Sequence, residues 1–104
     1  MSMYINKYQV NWISIDLLHE DKNNPNAMDE YEFNALVREI SLHGIIQPII
    51  TRLCRCDLID GEHRCIVGGE HRWRAARQLM MKEVPCIDIS IDDLQAKILM
   101  VNLN

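Results

Sequence analysis

The order of apolar and polar positions along this chain predicts seven elements. Val10 to Leu18 reads as a short strand, with Ile13 and Ile15 on one face and Leu17 continuing it. His19-Glu20-Asp21-Lys22-Asn23-Asn24-Pro25-Asn26 is polar and rich in turn formers, so it predicts a loop, with Asn26 placed to cap a helix. Phe33, Leu36, Val37 and Ile40 fall at i, i+3, i+4 and i+7, the apolar stripe of a helix running roughly from Ala27 to His43. Gly44 stops it. Ile45 to Leu53 is apolar on both faces, the pattern of a strand near a sheet centre, and Pro48, lacking an N–H, belongs at its start. Asp60-Gly61 signals a two-residue hairpin turn, and Arg64 to Val67 forms the return strand.

Gly68-Gly69 then breaks the chain. A helix follows from about Glu70, with Trp73, Ala76 and Met80 as its buried stripe, supported by Leu79. Val84 to Ile91 is a further strand in which Ile87, Ile89 and Ile91 alternate. Asp92 caps a last helix that faces inward through Leu94, Ile98 and Val101. The order β-α-β-β-α-β-α predicts one compact α+β domain over residues 1–104, a small mixed sheet flanked by three helices.

Composition agrees with this reading. Of 104 residues, 48% are hydrophobic and 25% charged, as in ordinary globular chains and unlike disordered ones. A domain this size buries roughly 60–70% of its unfolded surface, so it needs no staple. No apolar run is long enough to span a membrane. The first 25 residues show no export signal, so a cytoplasmic location is expected.

Charge adds a local feature. The net charge is −4, which argues against non-specific binding to duplex DNA. Residues 63–82 nevertheless hold Arg64, Arg72, Arg74, Arg77 and Lys82 against Glu70 alone, a local +4, leaving −8 on the rest. An acidic body with one arginine-rich segment suits a small anion better than a long polyanion, although most charge runs are simply solvated helix faces.

With no export signal, Cys54, Cys56, Cys65 and Cys86 are expected as reduced thiols. No C-x2-C knuckle is present. If Asp60-Gly61 is a two-residue turn, Cys56 lies opposite Cys65, and Cys54 shares their face. Such a trio serves either as small core residues or as metal ligands.

The segment that carries chemistry is Ile66-Val67-Gly68-Gly69-Glu70-His71-Arg72-Trp73-Arg74-Ala75-Ala76. Amides at the start of a helix lack internal partners, and the helix dipole adds partial positive charge there. Glycine lets a phosphate approach the backbone, and His71, Arg72 and Arg74 supply further donors. Cations at a helix start oppose the dipole, a conflict that a bound anion would resolve. Walker-loop spacing is absent.

The string Gly69-Glu70-His71-Arg72-Trp73-Arg74-Ala75-Ala76 resembles the G-E-R-R-x-R-A-A motif of ParB amino-terminal domains. Asn24-Pro25-Asn26 is similar to that family's N-P-R segment, Gly44 to Arg52 to its G-L-x-Q-P-I-x-V-R, and Glu83-Val84-Pro85-Cys86-Ile87 to its E-V-P-V-x. Val101-Asn102-Leu103-Asn104 looks like the start of its E-N-x-Q-R, with Val101 in place of the acid. Gly68-Gly69-Glu70-His71-Arg72 is also similar to the G-G-C-H-R of sulfiredoxin, with Glu70 where the reactive cysteine stands, and to the D-G-H-H-R of free-serine kinases.

The resemblance implies a ParB/sulfiredoxin-like fold and a nucleoside triphosphate, CTP or ATP, bound with Mg²⁺ at Gly68-Gly69-Glu70-His71-Arg72. Gln47, Arg52, Gly68, Gly69, His71, Arg72, Arg74 and Asn102 would bind the nucleotide. Glu70 would sit by the metal and the attacking water, with Asn102 as a second metal-side residue. It implies a part in a partition, plasmid or phage DNA-associated protein, with possible triphosphate hydrolysis and homodimerisation. Family members read DNA through a following helix-turn-helix, which this chain does not reach, so DNA contact is expected only indirectly or through other segments. Two alternatives stand beside it. One is a phosphotransferase of the serine-kinase type with Glu20 or Glu30 as base, and the other a ParB-like nuclease, poorly supplied with carboxylates. Trp73 is expected in the core, and His43 and His63 on the surface.

Overall fold

The structure is a computed structural model that describes residues 9–20, 27–54 and 63–103. In chain order its elements are β1 (Asn11–Ser14), a 3₁₀ turn (Ile15–Leu17), β2 (Leu18–His19), α1 (Glu30–His43), β3 (Ile49–Leu53), β4 (Arg64–Gly68), α2 (Glu70–Gln78), β5 (Glu83–Asp88) and α3 (Asp93–Leu103). The five strands form one mixed sheet in the order β1-β5-β3-β4-β2. The α+β class and the three helices are as expected. The central position of β3 explains why its sequence is apolar on both faces.

The expected first strand is broken in two by the turn at Ile15–Leu17. Its halves join opposite edges of the sheet: β1 runs antiparallel to β5, and β2 runs parallel to β4. A flat five-stranded sheet is about 19 Å from edge to edge. A three-residue 3₁₀ turn rises only about 6 Å. The sheet must therefore curl until its edges meet. The alternation of Ile13 and Ile15 hid this break, because both side chains still pack inward.

One cluster gathers Ile15, Leu18, Ile49, Ile66, Trp73, Ala76, Val84 and Cys86. Another gathers Val67, Ala96 and Met100, with Ile50, Ile89, Ile91 and Leu99 around them. Trp73 is core, as expected, and its indole N–H donates to the Ile15 carbonyl at 3.3 Å. Cys86 is a buried free thiol whose pKa burial pushes up to about 12.

Several boundaries and faces differ from expectation. Helix α1 is capped by Asp29, whose carboxylate accepts from the Glu32 amide at 2.7 Å, whereas Asn26 lies outside the described residues. Helix α3 has its expected cap, a reciprocal pair in which the Gln95 amide donates to Asp92 and the Asp92 amide to Gln95. Its inward face is wrong in the sequence reading: Leu94, Ile98 and Val101 are exposed, while Ala96 and Met100 are buried. The helix is apolar nearly all round, so periodicity cannot choose a face. Strand β5 stops at Asp88, and Ile89 and Ile91 reach the second cluster from the loop beyond it. His43 is exposed as expected, but His63 is buried.

The hairpin register also differs. Cys65 pairs with Arg52, not with Cys56, a register four residues away from the expected one. The Asp60-Gly61 turn and Cys56 lie outside the described residues. Cys54 and Cys65, expected as thiols, are joined as a disulfide with Cα atoms 5.3 Å apart.

Helix α2 ends at Gln78, two residues before the expected Met80. Met80 is 86% exposed and left-handed (φ 61°), not part of the buried stripe. The Met81 amide reaches back to the Ala76 carbonyl at 3.0 Å, a closing turn that normally ends in glycine. A left-handed side-chain residue costs about 1–2 kcal/mol, part of which glycine's own chain entropy offsets. Met80→Gly should therefore stabilise the fold by about 0.5–1 kcal/mol, read from the midpoint of urea unfolding. An unchanged or lowered midpoint would contradict this account.

Candidate functional site

Strand β4 ends at the buried Gly68, and Gly69 caps α2 in the left-handed region at φ 94°. A Cβ built on Gly69 would lie 2.9 Å from Arg72 Nη2 and 3.2 Å from Nε. The guanidinium thus lies across the glycine. Its Nη1 donates to the backbone carbonyls of Gln47 at 2.6 Å and Pro48 at 3.1 Å. Arg72 clamps the segment before β3 to the start of α2, and burial lowers its pKa. The sequence expectation was that bare backbone at Gly69 leaves room for phosphate. In this structure that room is taken by Arg72.

Glu70 and His71 are both buried. The Glu70 carboxylate meets Arg74 one turn later at 3.2 Å, and the same Arg74 nitrogen meets Glu20 at 2.9 Å. These two carboxylates resolve much of the conflict between Arg74 and the helix dipole that the sequence reading assigned to a bound anion. His71 Nε2 is buried without a hydrogen-bond partner among the described residues. Burial, and then the charge of Arg74, lowers the His71 pKa below 6.5. Arg77 lies over the Trp73 ring at 4.8 Å.

An open cleft of about 340 Å³ lies beside this corner, lined by Leu36, Ile40, Gly44, Ile46, Gln47 and Arg72 among others. That is within the usual range for small-molecule sites. The structure thus brings Gln47, Gly69 and Arg72 together, with Glu70, His71 and Arg74 on the same helix. Arg52 lines a different cleft, of about 520 Å³, with Cys54, Arg64 and Asp88. Asn102 belongs to α3, but its side chain lies outside the described residues.

The sequence reading missed the network beside Arg52. Thr51 Oγ1 donates to Asp88 at 2.6 Å, and Arg64 Nε reaches the same carboxylate at 3.0 Å. Burial pushes the Asp88 pKa up, but hydrogen bonds from Arg64 and Thr51 and the Arg64 charge outweigh it and hold it low. No local signal marks such pairs, because the partners lie far apart in sequence.

This curled mixed sheet, with a helix launched from a glycine pair, defines a fold class that extends to sulfiredoxin. The Arabidopsis thaliana sulfiredoxin structure superposes with a TM-score of 0.66 at 15% identity, covering 88% of this chain and 97% of that one. Within that class, the chain belongs to the ParB N-terminal domain family, which it matches over residues 1–103. It is 35% identical over 85 residues to the chromosome-partitioning protein ParB of Myxococcus xanthus (strain DK1622), covering 81% of this chain and 27% of that protein. It is 35% identical over 88 residues to the nucleoid occlusion protein of Geobacillus sp. (strain WCH70), covering 84% of this chain and 30% of that protein. The crystal structure of C-terminally truncated ParB from Caulobacter crescentus complexed with CTP-gamma-S superposes with a TM-score of 0.81 at 29% identity, covering 89% of this chain and 51% of that one. The chain therefore spans less than a third of the curated relatives just named.

Gly69→Ala combines left-handed strain with a close approach to Arg72, so it should destabilise the fold by about 2 kcal/mol, read from denaturant unfolding. A loss below about 0.5 kcal/mol would show that the clamp is not rigid.

His63 and His71 both have lowered pKa values, His63 through burial and then His19. Between their folded values and 6.5 the unfolded chain binds more protons, so stability is lost as pH falls through 6.5. Melting temperature should drop across that window, and His63→Gln with His71→Gln should flatten the slope. A flat wild-type profile would refute the assignment.

Proposed function

We propose that this domain binds a ribonucleoside triphosphate of the CTP type, with its phosphates at the start of α2, as one part of a protein acting in DNA partition. The observation that carries this reading is the Arg72 clamp beside the cleft. It joins a helix start and a guanidinium at one corner, and the same helix turn carries His71, whose Nε2 has no hydrogen-bond partner among the described residues. The likeness to a ParB complexed with CTP-gamma-S, at 29% identity, supports the same choice of ligand.

The chain's own groups fit a polyphosphate. Helix-start amides at Glu70 and His71 present donors with the positive end of the dipole. His71 Nε2 offers a buried site that an anion would satisfy, and an arriving anion would also favour its protonated form. Arg72 would exchange the carbonyls of Gln47 and Pro48 for phosphate oxygens, so binding would loosen the 44–48 segment. Nucleotide is thereby coupled to a backbone segment, which is what a switch requires. Arg74 would add charge at the rim, and Gln47 and Gly68 would complete the pocket. Arg52 and Asn102 take their places in this site from the family resemblance.

Mg²⁺ fits less well. Glu70 is already paired with Arg74, and a phosphate-bound Mg²⁺ usually takes one or two protein carboxylates. In this reading the domain is one unit of a longer cytoplasmic protein, able to pair with a second copy, and DNA contact is carried elsewhere.

A second reading has one observation in its favour. Glu20 stands 2.9 Å from Arg74, which also meets Glu70, so a carboxylate lies beside the helix start where a phosphotransferase would need a base. Release of ADP or AMP from ATP with free serine would support it over the first.

CTP, ATP and GTP, each with Mg²⁺ at about 1 mM, should be compared by thermal shift, and one of them should raise the melting temperature. Arg72→Ala should weaken binding by about tenfold or more in equilibrium dialysis, the loss of hydrogen bonds to a charged partner. No shift with any triphosphate would overturn the proposal.

A further inference from the structure

A second group of chemically active side chains lies at the β2 edge of the sheet, apart from the Arg72 corner. His19 on β2 pairs in register with Cys65 on β4. Cys54 follows β3, and its amide donates to the His63 carbonyl at 2.9 Å, continuing the β3–β4 ladder by one step. Three neighbouring chain segments thus deliver His19, Cys65 and Cys54 to one place. Their ligand atoms all lie within 4.8 Å of one another. His19 Nε2 is 2.8 Å from Cys54 Sγ and 3.7 Å from Cys65 Sγ.

The His19 ring is oriented from its other side. Its Nδ1 lies 3.2 Å from the Glu20 carbonyl oxygen, which can only accept, so Nδ1 carries the hydrogen. In the neutral ring, Nε2 is then a bare lone pair aimed at two sulfurs. Once the pair is reduced, that lone pair and the two sulfurs lie close enough to share one cation. A backbone carbonyl fixing the outer nitrogen of a ligating histidine is the usual second partner at metal sites.

We propose that the reduced Cys54–Cys65 pair, together with His19, binds a borderline-soft divalent cation of the Zn²⁺ type. Two thiolates and an imidazole are the donor set such a cation prefers. Around a tetrahedral Zn²⁺, sulfur and nitrogen ligands stand about 3.6 Å apart. The His19–Cys65 separation already matches that spacing, and Cys54 reaches it once its bond to Cys65 opens. His63 is stacked on His19 with ring centroids 4.5 Å apart.

Opening the pair needs a dithiol reductant. It gives two electrons and two protons to the S–S bond and leaves as its own disulfide. The cation then displaces the two thiol protons to solvent. Disulfide and metal site are two exclusive states of one pair.

The test uses the whole chain reduced under nitrogen with excess dithiothreitol, desalted, and loaded with Zn²⁺ or Co²⁺. Metal content should be one Zn²⁺ per chain, and Co²⁺ should give thiolate-to-metal charge-transfer and tetrahedral ligand-field bands. Circular dichroism confirms folding of each variant. His19→Ala and Cys65→Ser should lose the metal, and Cys56→Ser should keep it. Three results would overturn the proposal: a folded, reduced wild type that takes up no metal; loss in Cys56→Ser with retention in His19→Ala; or a Cys54–Cys65 bond that the dithiol cannot open in the folded chain.

Discussion

The segment from Asn11 to His19 supplies both edges of the sheet with only three residues between them. That single constraint shapes the domain. A curled sheet has an inner surface that one tryptophan and a few aliphatic side chains can fill. The kink is held from two sides: the Ile15 amide donates to the Lys82 carbonyl, and the Ile15 carbonyl accepts from Trp73. Trp73 sits one turn into α2, so the closure of the sheet also sets the direction of that helix. The start of α2 is aimed by the core beneath it.

Arg72 provides the second constraint. It ties α2 to residues 47–48 through backbone carbonyls that no side-chain substitution can remove. Its position over Gly69 explains that glycine by the close approach of a guanidinium, together with the left-handed backbone. Arg72, which the motif marks for phosphate, is thus also employed within the fold. An arginine held by neutral carbonyls can exchange them for charged oxygens at small cost, since carbonyls are the weaker acceptors.

Much of the architecture was legible because local rules agreed with the global fold. The apolar run of β3, the break at Gly68-Gly69, the core role of Trp73 and the Asp92 cap each followed from spacing and residue type. The failures share a cause. Helix α3 carries apolar residues on most of its circumference, so Leu94, Ile98 and Val101 satisfied the pattern as well as Ala96 and Met100 did. The split of the first strand leaves no mark in the alternation of Ile13 and Ile15. The hairpin register depended on a turn assignment, and a four-residue error moved the partner of Cys65 from Cys56 to Arg52. For the candidate site, the motif pointed to the start of α2 but not to the contacts each side chain makes there. Arg72 to Gln47 and Pro48, Arg74 to Glu20 and His19 to Cys54 are all contacts distant in sequence, and no periodicity encodes them.

Strand β4 connects the two candidate sites of the domain. Cys65 stands near its beginning, and Gly68, its last residue, leads directly into Gly69 and α2. Between them Ile66 and Val67 are fully buried in the two core clusters, so the strand cannot shift at one end without disturbing its packing at the other. A covalent or metal link at Cys65 fixes β4 against β2 and β3. The Arg64–Asp88 pair fixes it, across β3, to β5. A displacement at the glycine pair therefore has little freedom to pass into the sheet. The segment at the Arg72 corner that no ladder holds is residues 44–48, where Gly44 takes a positive φ, Ile46 is exposed, and the clamp on Gln47 and Pro48 is made of two hydrogen bonds.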